Sequence, residues 1–204
     1  MIVGFPSAHA SMQLFGSIAL KGPAFPQWSR FAAEIDDALM VFDDCAEDLE
    51  ACHQPRLTAF LDALQRLADL PPMVQLHEVN RLANALPYRS DAENFGRTNH
   101  WAGPLEFLQS YGDCEDYAIF KYALLRWLGF GDDALRVVLV KQRDSEVGHA
   151  VLAVALAEDV FILDNEERAV LQQDQATRYR PITSFNQTGL WGHFAARPTD
   201  THVN

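Results

Sequence analysis

The sequence predicts an α+β domain in which a helical N-terminal half packs beside a mainly antiparallel sheet. Apolar residues recur at three- and four-residue spacing from Trp28 to Leu86, the period of helices facing a core. After Gly129 the period changes, and β-branched runs separated by polar turns take over. A chain of 204 residues that is 49% hydrophobic can bury one full core. The expected organisation is an extended lead-in at 1–25, one domain at 26–191 and a loose tail at 192–204. Within the domain, 26–100 is the helical part and 101–191 holds one further helix and the sheet.

From the start of the chain, Met1 to Ala10 has no basic segment, and its apolar stretch is too short for a secretory signal. Ala8-His9-Ala10 nevertheless has the small-x-small form of a cleavage site. Either a longer export signal is missing or the match is chance. Leu14 to Pro26, with its glycines and prolines, reads as extended. Trp28, Phe31, Ile35, Leu39 and Phe42 define a first helix after Pro26. Leu57, Phe60, Leu61, Leu64 and Leu67 define a second after Pro55, and Val74, Val79, Leu82 and Leu86 a third after Pro71-Pro72. Cys45 and Cys52 lie between the first two. On one straight helix they would be about 10 Å apart, beyond disulfide reach; in a loop they could join. A bridge with Cys114 left over suits an oxidising compartment, and two reduced thiols suit the cytoplasm. Zinc is a poorer fit, because these two cysteines and His53 form an incomplete ligand set. Pro87 to Gly103 is polar and irregular and reads as a long surface loop, with Trp101 either a groove wall or core packing.

The most informative stretch is Gly112-Asp113-Cys114-Glu115-Asp116-Tyr117-Ala118. Asp113 is a good helix N-cap, and Asp116 stands three residues on, as in a capping box. Cys114 then takes the first helical position, where backbone amides and the macrodipole favour a thiolate. From Tyr117 to Leu128 only Lys121 and Arg126 are charged, so most faces of this helix must be buried, and Gly129 marks its stop. Asp113, Glu115 and Asp116 oppose ionisation of the thiol. A hard cation such as calcium, bound by these three carboxylates, would offset them; the alternative is a solvated acidic helix start.

Three strand-like runs follow: Leu135 to Val140, Val147 to Leu156 and Val160 to Leu163. If the last two form a hairpin turning between Leu156 and Ala157, His149 lies directly opposite Asp164 with Cβ atoms roughly 5 Å apart. A one-residue slip would separate them to opposite faces. Alone, His149 is a strand histidine and Asp164 a turn residue. With Cys114 they read as a nucleophile, a general base and the carboxylate that orients it. Leu171 to Arg180 reads as a polar connection and Pro181 to Trp191 as an extended segment closing the sheet. The net charge of −12 argues against nucleic acid or anionic lipid as partners, and no apolar run reaches the ~18 residues that span a bilayer.

The order Cys, His, Asp on helix, strand and strand resembles the transglutaminase-like, papain-related cysteine peptidases, and the local words resemble their LapG-type branch. The segments that carry it are Trp101 to Leu108, Gly112 to Ala118 with Lys121-Tyr122, Gly148 to Leu152, Leu163-Asp164-Asn165, and Pro181 to Asn186 through Gly189-Leu190-Trp191. The resemblance implies a papain-like fold and a calcium-dependent periplasmic endopeptidase that cuts a large surface adhesin near its N-terminus, controlling biofilm attachment. It implies Cys114, His149 and Asp164 as catalytic residues and Asp113, Glu115 and Asp116 as a calcium-binding segment. It further implies a LapD-type inner-membrane receptor for cyclic di-GMP as a partner. The family usually has an acidic residue and an aromatic before the tryptophan, where Asn99 and His100 stand here. Two other functions use the same residues: a transglutaminase-type acyl transferase, and an inactive protein that binds partners through calcium.

Overall fold

The structure, a computed structural model, describes residues 14–21, 25–50 and 52–193, so Ala8-His9-Ala10 and the tail beyond His193 lie outside the described residues. Three helices form as their periodicity predicts: α1 (Pro26–Glu47), α2 (Pro55–Leu67) and α3 (Pro72–Asn84). Each begins on a proline, whose missing N–H is harmless in a first turn. None of the three has a side-chain N-cap hydrogen bond. A cap contributes about 1 kcal/mol, whereas each fully buried large apolar side chain contributes roughly 1.5–3 kcal/mol. Phe31, Ile35, Phe42, Leu61, Leu64 and Val79 are all buried, so packing holds these helices in place.

The chain turns back after α1, with the Cys52 amide donating to the Asp48 carbonyl at 3.1 Å. This brings Cys52 to a Cα separation of 5.0 Å from Cys45, and the two form a disulfide that leaves Cys114 as the free thiol. The stretch expected to be a plain surface loop, 87–103, is more ordered than that. It contains α4 (Asp91–Phe95), capped by Ser90 and Glu93 in a reciprocal box. Asp91, His100 and Trp101 are buried, because Asp91 accepts from the His100 amide and folds the segment back on itself. Trp101 both stacks on Phe185 and lines a cleft, so its two expected roles coincide. A short helix α5 (Pro104–Ser110) precedes α6 (Cys114–Trp127), and Gly129 at φ 95° lets the chain leave α6 in a left-handed conformation.

Among the described residues, seven antiparallel strands form one sheet in the order β1-β7-β6-β2-β3-β4-β5. They are β1 (Ser17–Ala19), β2 (Leu135–Gln142), β3 (Gly148–Leu156), β4 (Asp159–Leu163), β5 (Leu171–Gln172), β6 (Tyr179–Phe185) and β7 (Leu190–His193). Part of the lead-in thus pairs with the end of the last strand, and Gly192 and His193 belong to the sheet rather than to a tail. One sheet face meets α6 and the other helices through Val137, Leu152, Val154 and Leu163. The opposite face carries Leu14, Val138, Val140, Val151, Ala153, Ile162 and Tyr179. The α+β class is as predicted. No helix is long and apolar enough to cross a membrane among the described residues.

Candidate active site

The first turn of α6 is fixed by its own acids. Asp116 accepts from the Asp113 amide at 3.0 Å and from the Ala102 amide at 2.6 Å, tying the helix start to the segment beside Trp101. Its carboxylate crowds Gly112 so closely that a Cβ there would lie 1.9 Å from Oδ2, so only glycine fits. Cys114 stands at the first helical position, and its thiol donates to Glu115 Oε2 at 3.1 Å. Burial, then the charges of Glu115 and Asp113, push the thiol pKa up, against a smaller opposing effect of the Ala150 amide. At this helix start, burial and neighbouring carboxylates oppose the thiolate that the macrodipole favours.

His149 and Asp164 meet, by a register two residues away from the simple one. The hairpin pairs Leu156 with Asp159 through a two-residue turn in which Ala157 has φ 55°. Continued past its last pair, Leu152 with Leu163, this register sets Asp164 against Val151. A shift of two preserves the alternation of faces, so His149 and Asp164 remain on one face as diagonal neighbours. His149 Nε2 lies 2.9 Å from Asp164 Oδ1, and both residues are buried. The same oxygen accepts from the Glu166 amide at 2.9 Å; Oδ2 accepts from Arg178 at 2.6 Å and from the Tyr179 hydroxyl. Burial alone would raise the Asp164 pKa, but the hydrogen bond and charge of His149, with the Tyr179 hydroxyl, hold it well below the carboxylate range. With Nε2 engaged, Nδ1 is the ring nitrogen left for proton transfer.

Cys114, Gly148 and His149 line two adjoining clefts. One, of about 440 Å³, is bounded also by Ser90, Asn99, Trp101 and Glu115. The other, of about 400 Å³, is bounded by Tyr88, Val147, Asn165 and Glu166. An extended peptide crossing both would pass the thiol and the imidazole.

The acids sort into two groups. Asp91, Asp113 and Asp116 offer oxygens that all lie within 4.8 Å of one another, and Glu115 groups instead with Asp113 and Cys114. Asp91 Oδ1 and Asp113 Oδ1 are buried with no hydrogen-bond partner. Burial, followed by neighbouring acids, pushes the Asp113 carboxyl up, and burial raises Asp116 to about 8 despite two backbone hydrogen bonds. All-oxygen donors, orphaned buried carboxylate atoms and uncompensated charge fit a hard cation such as calcium. His149, Asp164 and Glu166 also converge, but Arg178 already supplies positive charge there.

Residues 40–198 match the model of the bacterial transglutaminase-like cysteine proteinases. The chain belongs to this family. Among solved structures, the Legionella pneumophila protein LapG is 29% identical, with a TM-score of 0.65 over 76% of this chain and 87% of that one. Its calcium-bound form is 27% identical, with a TM-score of 0.66 over 81% of this chain and 93% of that one. An EGTA-treated form of the same protein matches with a TM-score of 0.66 at 29% identity, over 77% of this chain and 86% of that one. No curated protein sequence matches the chain. Membership makes this a cysteine peptidase fold. It does not by itself assign roles to side chains.

Several residues at this site escape a reading of the sequence. Asp91 sits in a Ser-x-x-Glu capping-box word, Ser90 to Glu93, which could have located α4. Asn84 donates to the Asp164 carbonyl at 2.8 Å from α3, and Arg178 and Tyr179 reach Asp164 from β6 and the residue before it. Nothing in their spacing announces these contacts.

Proposed function

We propose that this chain is a calcium-dependent cysteine endopeptidase that cleaves a large cell-surface adhesin near its N-terminus, with Cys114, His149 and Asp164 as its catalytic residues. The observation that carries the reading is the buried His149–Asp164 pair, whose imidazole lines the cleft that also holds the chain's free thiol. Cys114 gives its proton to His149 Nδ1 as its sulfur attacks the scissile carbonyl. Asp164 keeps the proton-bearing Nε2 directed at itself and stabilises the imidazolium. The backbone amides at the start of α6 receive charge developing on the carbonyl oxygen. The imidazolium then protonates the departing amine, leaving a thioester on Cys114. A water that loses its proton to His149 attacks the thioester and releases the acid.

Asp91, Asp113 and Asp116 would hold the calcium, with Glu115 beside them at the thiol. Its positive charge would offset the carboxylates that oppose the thiolate. The adhesin substrate, the biofilm role and a LapD-type cyclic di-GMP receptor as partner are part of this proposal, carried by the resemblance of the segments around Cys114, His149 and Asp164 to the LapG-type branch. The Cys45–Cys52 disulfide supports a periplasmic location, because such bonds persist in oxidising compartments.

Incubating an adhesin N-terminal fragment with wild-type and Cys114→Ala protein tests this reading. Two fragments from the wild type and none from the variant are expected. Equal cleavage by both would remove the thiol from the mechanism, and an adduct with an added primary amine would make the enzyme a transferase.

A further inference from the structure

We infer that Arg178 and Tyr179 are positioning residues that fix which oxygen Asp164 presents to His149, an inference that rests on the triad reading above. Asp164 follows β4, whose last pair is Leu152 with Leu163, so its backbone lies beyond the paired ladder that holds the strand. The Asn84 side chain takes over that task by donating to its carbonyl at 2.8 Å. The carboxylate is a separate matter, because it can turn about its Cβ–Cγ bond and exchange its oxygens.

Two donors oppose that rotation. Arg178 Nη2 lies 2.6 Å from Oδ2, and the Tyr179 hydroxyl donates to the same atom. Oδ1 is then the atom left for His149 Nε2 and the Glu166 amide. Tyr179 also stacks on the imidazole at a centroid distance of 5.7 Å, so one side chain touches both members of the pair. The guanidinium is itself placed: Nη1 lies 3.0 Å from Glu167 Oε1, and its carbon lies 4.8 Å from the centre of the Tyr179 ring. These residues come from β6 and its lead-in, which is separated from β4 by β2 and β3 in the sheet. The clamp therefore ties the orientation of His149 to a distant part of the fold. Arginine suits the task because its planar fork bonds a carboxylate and a second acceptor at once.

The test uses the full chain in calcium-containing buffer, with iodoacetamide as the thiol probe and labelled histidine for NMR. Arg178→Met and Tyr179→Phe should each slow alkylation of Cys114 by roughly tenfold, the scale of a small misplacement in a reacting pair. The downfield Nε2 proton of His149 should shift or broaden, and Arg178→Lys should restore part of both signals. If Arg178→Met fails to fold, Tyr179→Phe decides, since it keeps the ring packing. Alkylation within about twofold of wild type and an unchanged His149 proton in Tyr179→Phe would overturn the inference. A His149→Ala protein that alkylates as fast as wild type would instead sink the triad reading beneath it.

Discussion

Asp164 and Asp116 are both buried, 2% and 0% exposed, yet their acidities are pushed in opposite directions. Asp164 is answered from within the fold by Arg178, Tyr179, His149 and the Glu166 amide. Asp116 receives two backbone amides, but the charges that act on it are those of Glu115 and Asp91, and Asp91 and Asp113 add orphaned oxygens beside it. Desolvation works on both. What separates them is where the compensating positive charge comes from: a side chain of the protein in one case and, on the function proposed above, an ion from solution in the other. The first grouping should be indifferent to divalent cations, and the second should depend on them.

Removing calcium is the strongest way to break that comparison. An ion that binds the folded state stabilises it by about 4 kcal/mol at a thousandfold excess over its dissociation constant. Thermal unfolding should therefore shift upward with calcium and back with EGTA, and Asp91→Asn should lose most of the shift. Identical melting curves in calcium and in EGTA would mean that the acidic group at α6 holds no calcium.

Asp164→Asn probes the other grouping and should cost on the order of 3 kcal/mol at neutral pH, the scale of breaking a buried ion pair. Because the folded-state pKa of Asp164 lies below its unfolded value, its contribution is fully present above about pH 4 and is lost as the pH falls further. The stability gap between wild type and variant should accordingly narrow below that pH, while the calcium-induced shift persists in Asp164→Asn at pH 7. Denaturant unfolding at a series of pH values measures both. A gap that stays constant into acid would show that the cost is steric rather than electrostatic.

The two groupings were unequally legible in the sequence, for a physical reason. Helices α1, α2, α3 and α6 announce themselves through apolar periodicity, prolines at their starts and a capping word at Asp113. The hairpin announces itself through alternation. Since faces alternate with a period of two, the sequence brings His149 and Asp164 together even though the turn lies one residue further on than expected and the register differs by two. The acids around Cys114 are adjacent in the chain, so their clustering was visible. Their partner Asp91 is not, because it depends on a loop folding back so that Asp91 accepts from the His100 amide. Arg178 and Tyr179 were invisible for a stronger reason. They reach Asp164 across two intervening strands, and no local pattern encodes a strand order.

The smallest expected effect sharpens the comparison by asking whether damage to one grouping reaches the other. Asn84 donates from α3 to the carbonyls of Asp164 and Glu167 at 2.8 and 3.0 Å. Asn84→Ala leaves the Asp164 carbonyl without that donor, while Asn80 still serves Glu167 at 3.0 Å. The expected loss is about 1 kcal/mol, the net worth of an ordinary hydrogen bond. Distant sites without shared partners respond independently. The calcium-induced rise in melting temperature should thus be the same in Asn84→Ala as in wild type. A smaller rise would mean that α6, which begins at the Asp113 cap, carries Asp116 in its first turn and packs against α3, transmits the disturbance, so that the two groupings act as one unit.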